Sequence, residues 1–447
     1  MNKLYTDFTL INANFKDDKM YIKYGLDDKP KRKEILLFGL QWFAVAIPSI
    51  IIIGKLVGVL QTGGDYIPYL QKLFLIIGIL MIVQVYWGHR LPLILGPAAV
   101  LLIAILTSFD QGIGSINSSI MIGGLILAVL AASGLFRYVK KLFTSRVIMV
   151  ILMLISFTLA PTIISLITAG GKVSPTYNLI FSFGFIFAIF AANAFLKGIW
   201  RSTLTLSSLI AGTVAYYLIF GVSSSVDMSL SAVALPSSIL GTLTVPDIGV
   251  LVAFLISFIA LAINDLGSIQ SVGTILRADN LEERVARGIT FTGIGNMIAG
   301  LFGVIGYVNY TLSPGVIAAT GVASRFTLIP AAIALFLIGF SPIAINAISS
   351  IPSPVIGVIL LYVLIAQIGA AMLTAIESDA IRNVDDGVIV GLPILLGTII
   401  AFLPATIAGQ LPEIIRPLIA NGFVVGVITV LLLEHVLYPR HSLFNET

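Results

Sequence analysis

The chain has 447 residues, of which 58% are hydrophobic and 10% are charged, and its formal net charge is +4. A water-soluble protein of this size has too little interior to bury so much apolar side chain, so the composition excludes a soluble fold and predicts a membrane protein. The chain contains no cysteine, which excludes disulfides, thiolate metal sites and cysteine nucleophiles.

The first 34 residues are polar and mix Lys with Asp, which predicts a cytoplasmic tail without a cleavable signal peptide. Beyond them, apolar runs of about 20 residues recur and predict fourteen membrane segments. The first seven segments are 35–60, 68–88, 91–106, 117–136, 146–168, 177–198 and 203–221. The second seven are 247–275, 285–305, 310–322, 326–345, 353–374, 386–403 and 417–437.

The basic residues of the loops test this count independently. With a cytoplasmic N-terminus, Lys and Arg collect in the inside loops, whereas the long outside segment 222–246 contains neither. The positive-inside rule therefore predicts cytoplasmic N- and C-termini and an even number of spans. In a membrane protein this charge reports topology, so we expect no nucleic-acid partner.

The third and tenth segments are each interrupted by a turn. Residues 91–102 read LPLILGPAAVLL, and residues 307–321 read YVNYTLSPGVIAATG. Each is third in its half, and an odd repeat unit inserts its second copy upside down, so the two breaks would meet near the midplane. Matched Gly/Pro breaks of this kind indicate a transporter's binding site, because two half-helix N-termini would face one ligand. The other interpretation is that the breaks only kink ordinary helices.

We therefore predict an all-α integral membrane fold. Its fourteen transmembrane segments would form a 7+7 inverted repeat, with short strands preceding half-helices in segments 3 and 10.

Asp265 is the clearest ionisable residue inside a predicted segment, the eighth. Asn264 and Ser268 lie four residues apart and share a helix face, while Asp265 is rotated from Asn264 by roughly 100°. A carboxyl group shielded from water can exchange a proton near neutral pH, which indicates proton or cation coupling. The alternative is a structural Asp bonded to backbone amides of a broken helix. Gln41, in the first segment, is suited either to bonding a ligand or to tying helices together.

The chain lacks the residues that mark other classes of transport protein and enzymes. It has no G-x-x-x-x-G-K-[ST] motif, no Arg-rich voltage-sensing helix and no filter-like loop, so a secondary carrier is favoured over a pump or channel. Paired acids and a nucleophile with its base are also missing, so we expect no enzyme activity. The three histidines lie near predicted helix ends or in the tail, so we expect neither a metal nor another cofactor.

The tenth segment resembles the signature of the nucleobase–ascorbate transporter family (nucleobase–cation symporter 2, which includes uracil and xanthine permeases). Gly315, Thr320 and Gly321 match that signature, and Gly267 with the polar run before it is similar to the eighth-segment motif. The resemblance implies a permease that carries a nucleobase such as uracil, xanthine or another purine or pyrimidine across the plasma membrane. The expected mechanism is proton symport with alternating access. Coupling to Na⁺ and transport without any coupling ion stay open as alternatives.

The resemblance also implies how the segments group. Segments 1–4 and 8–11 would form a core domain, at residues 35–136 and 247–345. Segments 5–7 and 12–14 would form a gate domain, at residues 146–221 and 353–437. Cytoplasmic tails would flank them at residues 1–34 and 438–447, and two copies would form a homodimer.

Three positions depart from the family pattern where the substrate should be held. Asn264 stands where relatives usually have a Glu that bonds the base, Leu312 replaces an acid or Gln, and Ser313 replaces an Asn. Either Asp265 takes over from the missing Glu, or the ligand is recognised differently. Asn264 can still donate and accept hydrogen bonds to a lactam edge. The expected substrate-binding residues are Gln41, Gly96, Pro97, Ala98, Asn264, Asp265, Ser268, Leu312, Ser313 and Gly315, and the expected proton-coupling residue is Asp265.

An anion carrier of the sulfate-permease architecture is the second hypothesis. Neutral residues at positions 264 and 312 favour it, because they would not repel an anion. The short tail after residue 437 counts against it, because those relatives usually carry a soluble C-terminal domain.

Overall fold

The structure, a computed structural model, describes residues 22–170, 173–197, 199–221, 227, 229–310, 313–412 and 415–438. Most of both predicted tails, residues 1–21 and 439–447, therefore lies outside the described residues. The described chain is mostly helical, and its only two strands pair with each other.

The elements of the first half are, in order, α1 (Arg32–Thr62), α2 (Ile67–Tyr86), β1 (Leu95–Pro97), α3 (Ala99–Ser108), α4 (Ile113–Ala132), α5 (Phe136–Lys141), α6 (Ser145–Thr158), α7 (Ala160–Ile167), α8 (Pro175–Phe195), α9 (Ile199–Ser202) and α10 (Leu204–Phe220). A 3₁₀ turn, Phe109–Gln111, follows α3.

The elements of the second half are α11 (Ile248–Ile275), α12 (Leu281–Leu301), β2 (Tyr307–Asn309), α13 (Ser313–Thr320), α14 (Leu328–Ile338), α15 (Pro342–Ser349), α16 (Ser353–Glu377), α17 (Val384–Ala401), α18 (Ala405–Ala408), α19 (Arg416–Ile419) and α20 (Gly422–Leu432). A 3₁₀ turn, Arg325–Thr327, precedes α14, and a π-helical turn, Leu433–Leu437, follows α20.

Helix length and composition confirm the multi-pass membrane class. Among the described residues, eight helices are long and apolar enough to cross a membrane, and the bent pair 325–338 and 342–349 would make a ninth. These correspond to predicted segments 1, 2, 4, 5, 6, 8, 12 and 13, and to segment 11. Segments 3, 7, 10 and 14 coincide with shorter helices, and segment 9 with α12, which has a charged first turn. The count of fourteen crossings and their 7+7 repeat stay predictions.

The predicted eleventh segment is not one straight helix. Its two parts, α14 and α15, are bent by 104°. The bend follows from local chemistry, because the Ser341 hydroxyl accepts from the Ala344 N–H at 3.4 Å and Pro342 occupies the first helical position.

The two interrupted segments meet through their strands, as expected for segments 3 and 10. Strands β1 and β2 are antiparallel, with Leu95 opposite Asn309 and Pro97 opposite Tyr307. Each strand leads into a short helix, α3 or α13. All six strand residues are buried, so this pairing satisfies backbone groups that water does not reach. We call this paired region the strand crossing.

Glycines allow close packing between helices α4 and α12. A Cβ atom on Gly124 would lie 2.4 Å from the Met297 nitrogen, and one on Gly293 would lie 2.4 Å from the Ala128 nitrogen. Larger residues would force α4 and α12 apart, because these neighbours are backbone atoms.

Packing separates most of the helices into two groups. In the first, α4 packs along α12 and α11, and α14 packs against α1 and α2. In the second, α6 packs against α16, α17 and α20, and α16 also contacts α7, α8 and α10. Helices α10 and α1, α11 and α19, and α9 and α13 connect the groups.

Candidate functional site

The strand crossing is tightly packed around Gly96. A Cβ atom there would lie 2.3 Å from the Tyr310 hydroxyl oxygen and 2.4 Å from its ring, so only glycine fits. The Tyr310 hydroxyl donates to the Pro97 carbonyl at 3.0 Å. Beyond the strand, the Ala98 N–H donates to the Gly306 carbonyl at 2.9 Å. The predicted residues of segment 3 therefore form the buried backbone of the crossing.

Ser313 joins the start of α13 to the crossing. Its hydroxyl accepts from the Ile94 N–H at 3.1 Å and donates to the Tyr310 carbonyl at 3.0 Å, and the side chain is fully buried. This hydroxyl is therefore bonded to backbone groups on both its donor and its acceptor side, and its role in substrate binding stays a prediction. Gly315 lies in the first turn of α13, and Leu312 lies outside the described residues.

The polar patch of α11 divides between two faces of the helix. Asn264 is partly exposed, Gly267 and Ser271 are exposed, and a Cβ atom on Gly267 would meet open space. Asp265 and Ser268 are fully buried, with Asp265 turned away from Asn264 by roughly 100° and Ser268 at the border between the two faces. The spacing of 264, 267 and 271 follows one helix face, so α11 presents an open face beside the crossing. We call residues 264, 267 and 271 the open face.

Asp265 is turned toward the crossing and bonds to strand β2. Its Oδ1 atom accepts from the Asn309 N–H at 3.0 Å and from the Asn309 side-chain amide at 2.5 Å. Its Oδ2 atom accepts from the Thr292 hydroxyl at 2.7 Å. Ser268 adds a bond from its hydroxyl to the Asn309 carbonyl at 2.9 Å. Asp265 therefore does bond to a backbone amide, as its structural interpretation predicts. Its role in proton coupling stays a proposal.

Asp265 belongs to a closed circuit of five buried side chains, which we call the polar ring. Gln84 Nε2 donates to the Thr292 hydroxyl at 3.0 Å, and Thr292 donates to Asp265. Asn309 bonds to Asp265 and accepts at Oδ1 from His89 Nε2 at 3.1 Å. The backbone N–H of His89 closes the circuit by donating to Gln84 Oε1 at 3.3 Å.

His89 enters the polar ring as a neutral imidazole. Its Nδ1 accepts from the Leu91 N–H at 2.9 Å, so Nε2 carries the proton that Asn309 receives. Burial lowers the pKa of His89 to about 3. The imidazole therefore keeps one tautomer, which fixes the orientation of the Asn309 amide.

The sequence did not predict four members of the polar ring as site residues. Asn309 is a polar residue in the strand-like run that marks the tenth segment, and this was a usable signal. Gln84, His89 and Thr292 carry no such signal, because each lies far from Asp265 in the sequence and reaches it only through tertiary packing.

Gln41 is the expected substrate-binding residue of the first segment. It is buried on α1, which packs against β1. Its neighbour Trp42 donates from Nε1 to the Thr327 hydroxyl at 3.0 Å, which ties α1 to the turn before α14.

A second membrane-embedded charge, Lys55, also escaped the sequence analysis. Its ammonium group donates to the Ser349 carbonyl at 2.7 Å and to the Ile351 carbonyl at 3.1 Å, in the connection between α15 and α16. It also lies 5.2 Å from the centre of the Tyr66 ring. Lys55 therefore joins α1 to the connection between the two helix groups, away from the open face.

The arrangement suits a small polar ligand better than covalent chemistry. The first turns of α3 and α13 carry the partial positive charge of helix N-termini, and Asn264 can both donate and accept a hydrogen bond. In the described part of the chain, no group of three or more His, Asp and Glu side chains is placed to hold a metal ion.

Comparison with known proteins adds family evidence to this geometry. The sequence model of the Permease family (Xan_ur_permease) matches residues 33–406. Uric acid permease PucJ of Bacillus subtilis (strain 168) is 26% identical over 423 residues, which cover 91% of this chain and 93% of PucJ. Nucleobase transporter PlUacP of Paenibacillus larvae is 26% identical over 420 residues, which cover 90% of this chain and 94% of PlUacP.

The fold also resembles a solved membrane protein. The transmembrane domain of the cyanobacterium bicarbonate transporter BicA aligns with a TM-score of 0.59 at 17% sequence identity, over 84% of this chain and 98% of that chain. At this identity the likeness concerns the fold alone.

Proposed function

Because this chain belongs to the Permease family (Xan_ur_permease), we propose that it is a secondary transporter that moves a nucleobase such as uracil, xanthine or another purine or pyrimidine across the plasma membrane. As a family member it is a permease and not an enzyme. The structural observation that carries the proposal is the strand crossing, where two half-helices start beside the open face of α11.

Recognition would use backbone and amide groups in place of an acid. A nucleobase is planar and has lactam edges that donate and accept hydrogen bonds. Asn264 can match such an edge, and the N–H groups in the first turns of α3 and α13 can bond its carbonyl oxygens. The open space above Gly267 leaves room for a flat ring.

Alternating access would follow from motion between the two helix groups. The first group, α1–α4 with α11–α15, would act as the core domain, and the second, α6–α10 with α16–α20, as the gate domain. The separate packing of the two groups supports this assignment. We further propose cytoplasmic termini, fourteen crossings in a 7+7 repeat and a homodimer, which the loop charges and the family resemblance support.

Uptake by purified protein in liposomes tests the substrate class. Labelled uracil, xanthine, uric acid, guanine and adenine are offered with and without a proton gradient, and empty liposomes are the control. We expect saturable uptake of at least one base. Uptake of none of them under either condition would overturn the proposal.

The anion carrier is the second candidate, and the fold of the bicarbonate transporter BicA is the observation that favours it. Excess bicarbonate or sulfate separates the two candidates in the same assay. We expect neither anion to compete with the base, whereas strong competition would favour the anion carrier.

Proton coupling through Asp265 is tested by Asp265→Asn. The variant keeps the shape of the side chain but removes the charge, so we expect exchange of base across the membrane to persist while gradient-driven accumulation is lost. Accumulation equal to that of the wild type would remove Asp265 from this role and leave the substrate class untouched.

A further inference from the structure

Asn309 uses every polar group it has, and its partners come from different parts of the chain. Its N–H and its side-chain amide both donate to Asp265 Oδ1, at 3.0 and 2.5 Å. Its carbonyl accepts from the Ser268 hydroxyl at 2.9 Å, and its Oδ1 accepts from His89 Nε2 at 3.1 Å. This one residue therefore determines where the end of β2 lies relative to α11.

A second asparagine holds the other end of the same strand. Asn296 donates from Nδ2 to the Tyr307 carbonyl at 3.0 Å and to the Thr292 carbonyl at 2.8 Å, and its Oδ1 accepts from the Tyr307 N–H at 2.9 Å. These three bonds in the described part of the chain all reach backbone atoms. The strand is thus attached at one end to a neutral side-chain amide and at the other to a carboxyl group.

The charge of Asp265 decides the strength of only one of these attachments. Hydrogen bonds to an ionised carboxylate are roughly twice as strong as those between neutral groups. A proton on Asp265 would weaken both bonds from Asn309 at once, while the bonds of Asn296 would stay as they are. The surrounding titratable groups are His89 in the ring, Tyr307 on β2, Tyr310 after it and Arg284, which donates to the His89 carbonyl.

Tyr310 follows β2 in the chain, and the Ser313 hydroxyl at the start of α13 donates to the Tyr310 carbonyl and accepts from the Ile94 N–H. We propose that Asn309 is the positioning residue that transmits the protonation state of Asp265 through β2 to the half-helix of the substrate site. This role deepens the proposed proton-coupled transport and rests on it.

Serine substitutions at the two asparagines give a matched test in liposomes. Exchange of labelled base without a gradient reports binding and movement, and accumulation under a proton gradient reports coupling. We expect Asn309→Ser to lower the ratio of accumulation to exchange on the order of tenfold, because serine offers the carboxylate no second amide bond. We expect Asn296→Ser to lower exchange and accumulation together, so that their ratio stays that of the wild type.

Wild-type coupling in Asn309→Ser would overturn the inference, and so would an equal loss of coupling in both variants. If the wild type exchanges a base but ignores the proton gradient, the coupling and this inference fail while the transport function stands. If the wild type moves no base at all, the proposed function itself fails.

A double variant in which the residues at positions 265 and 309 are interchanged covers the case in which Asn309→Ser does not fold. Asn309→Asp alone places two carboxyl groups together, whereas the double variant Asp265→Asn with Asn309→Asp keeps an amide–carboxyl pair between α11 and β2. We expect the double variant to regain both exchange and accumulation. A double variant that exchanges base but does not accumulate it would contradict the inference, because the pair would then be only structural.

Discussion

Gly96 and Tyr310 show how a single contact shapes the strand crossing. The Tyr310 ring lies where the side chain of any residue other than glycine would stand at position 96. The same tyrosine donates a hydrogen bond to the Pro97 carbonyl, so it both packs against β1 and is hydrogen-bonded to it. Glycine at this position is therefore required by packing at the candidate site.

Gly96→Ala should destabilise the protein and abolish uptake. The new methyl group would overlap the Tyr310 hydroxyl and ring, and forcing an extra methyl group into a packed core costs about 1–3 kcal/mol. Gly267→Ala is the matched control, since its methyl group would meet open space and the higher helix propensity of alanine should leave stability unchanged or slightly raised. Thermal unfolding in detergent measures both, and equal unfolding temperatures would contradict the packing described here.

Asp265 shows the limit of sequence reasoning at the scale of a residue. A lone acid in an apolar helix can be recognised as important from its desolvation cost alone. Its partners cannot be recognised, since Thr292 and Asn309 lie 27 and 44 residues further along the chain. The sequence therefore predicted the acid and its rotation away from Asn264, but not the polar ring.

The buried and the exposed polar residues of α11 lie on two adjoining faces of the helix. One face bears Asp265 and Ser268, which hold strand β2, and the other bears the open face at residues 264, 267 and 271. A helix turns by roughly 100° per residue, so adjacent residues such as 264 and 265 can serve the ligand and the scaffold separately.

Cysteine labelling should reproduce this division, and the natural chain contains no cysteine that would interfere. Single cysteines at Gly267 and Ser271 should react with a hydrophilic thiol reagent, and a transported base should slow the reaction at position 267. A cysteine at Ser257, which is fully buried on the same helix, should stay unreactive. Equal labelling at 257 and 267 would contradict the assignment of faces.

The interrupted segments were the most predictable elements of the site. Gly and Pro at matched positions predicted the two breaks and the short strands, and the structure pairs those strands. The bend between α14 and α15 was missed, because Ser341 and Pro342 sit inside a run that is otherwise apolar. Helix ends at such places depend on capping, which hydropathy does not register.

A buried ion cluster stabilises the second helix group at the scale of the whole molecule. Arg146, at the start of α6, bonds to Asp386 at the start of α17 and to Glu434 after α20. The distance from Arg146 Nε to Glu434 Oε2 is 2.8 Å, and these side chains are 4–6% exposed. Three helices distant in sequence are thereby joined at one end.

Arg146→Met should be strongly destabilising. Removing the cation leaves two buried carboxylates without compensation, and such a loss costs about 3–5 kcal/mol. Arg137→Met is the control, because that side chain is exposed and should change stability by no more than about 0.5 kcal/mol. Unfolding temperatures in detergent distinguish the two, and a similar small effect of both changes would show that the cluster does not stabilise this group.

The molecule as a whole combines a membrane scaffold with one polar crossing at which two half-helices start. The central claim is that a nucleobase binds between that crossing and the open face of α11. The most direct measurement is a structure of the protein determined with a transported base present. We predict density for the base within hydrogen-bond distance of Asn264 and beside the first turns of α3 and α13. Density for the base at any other place, with this space empty, would contradict the claim.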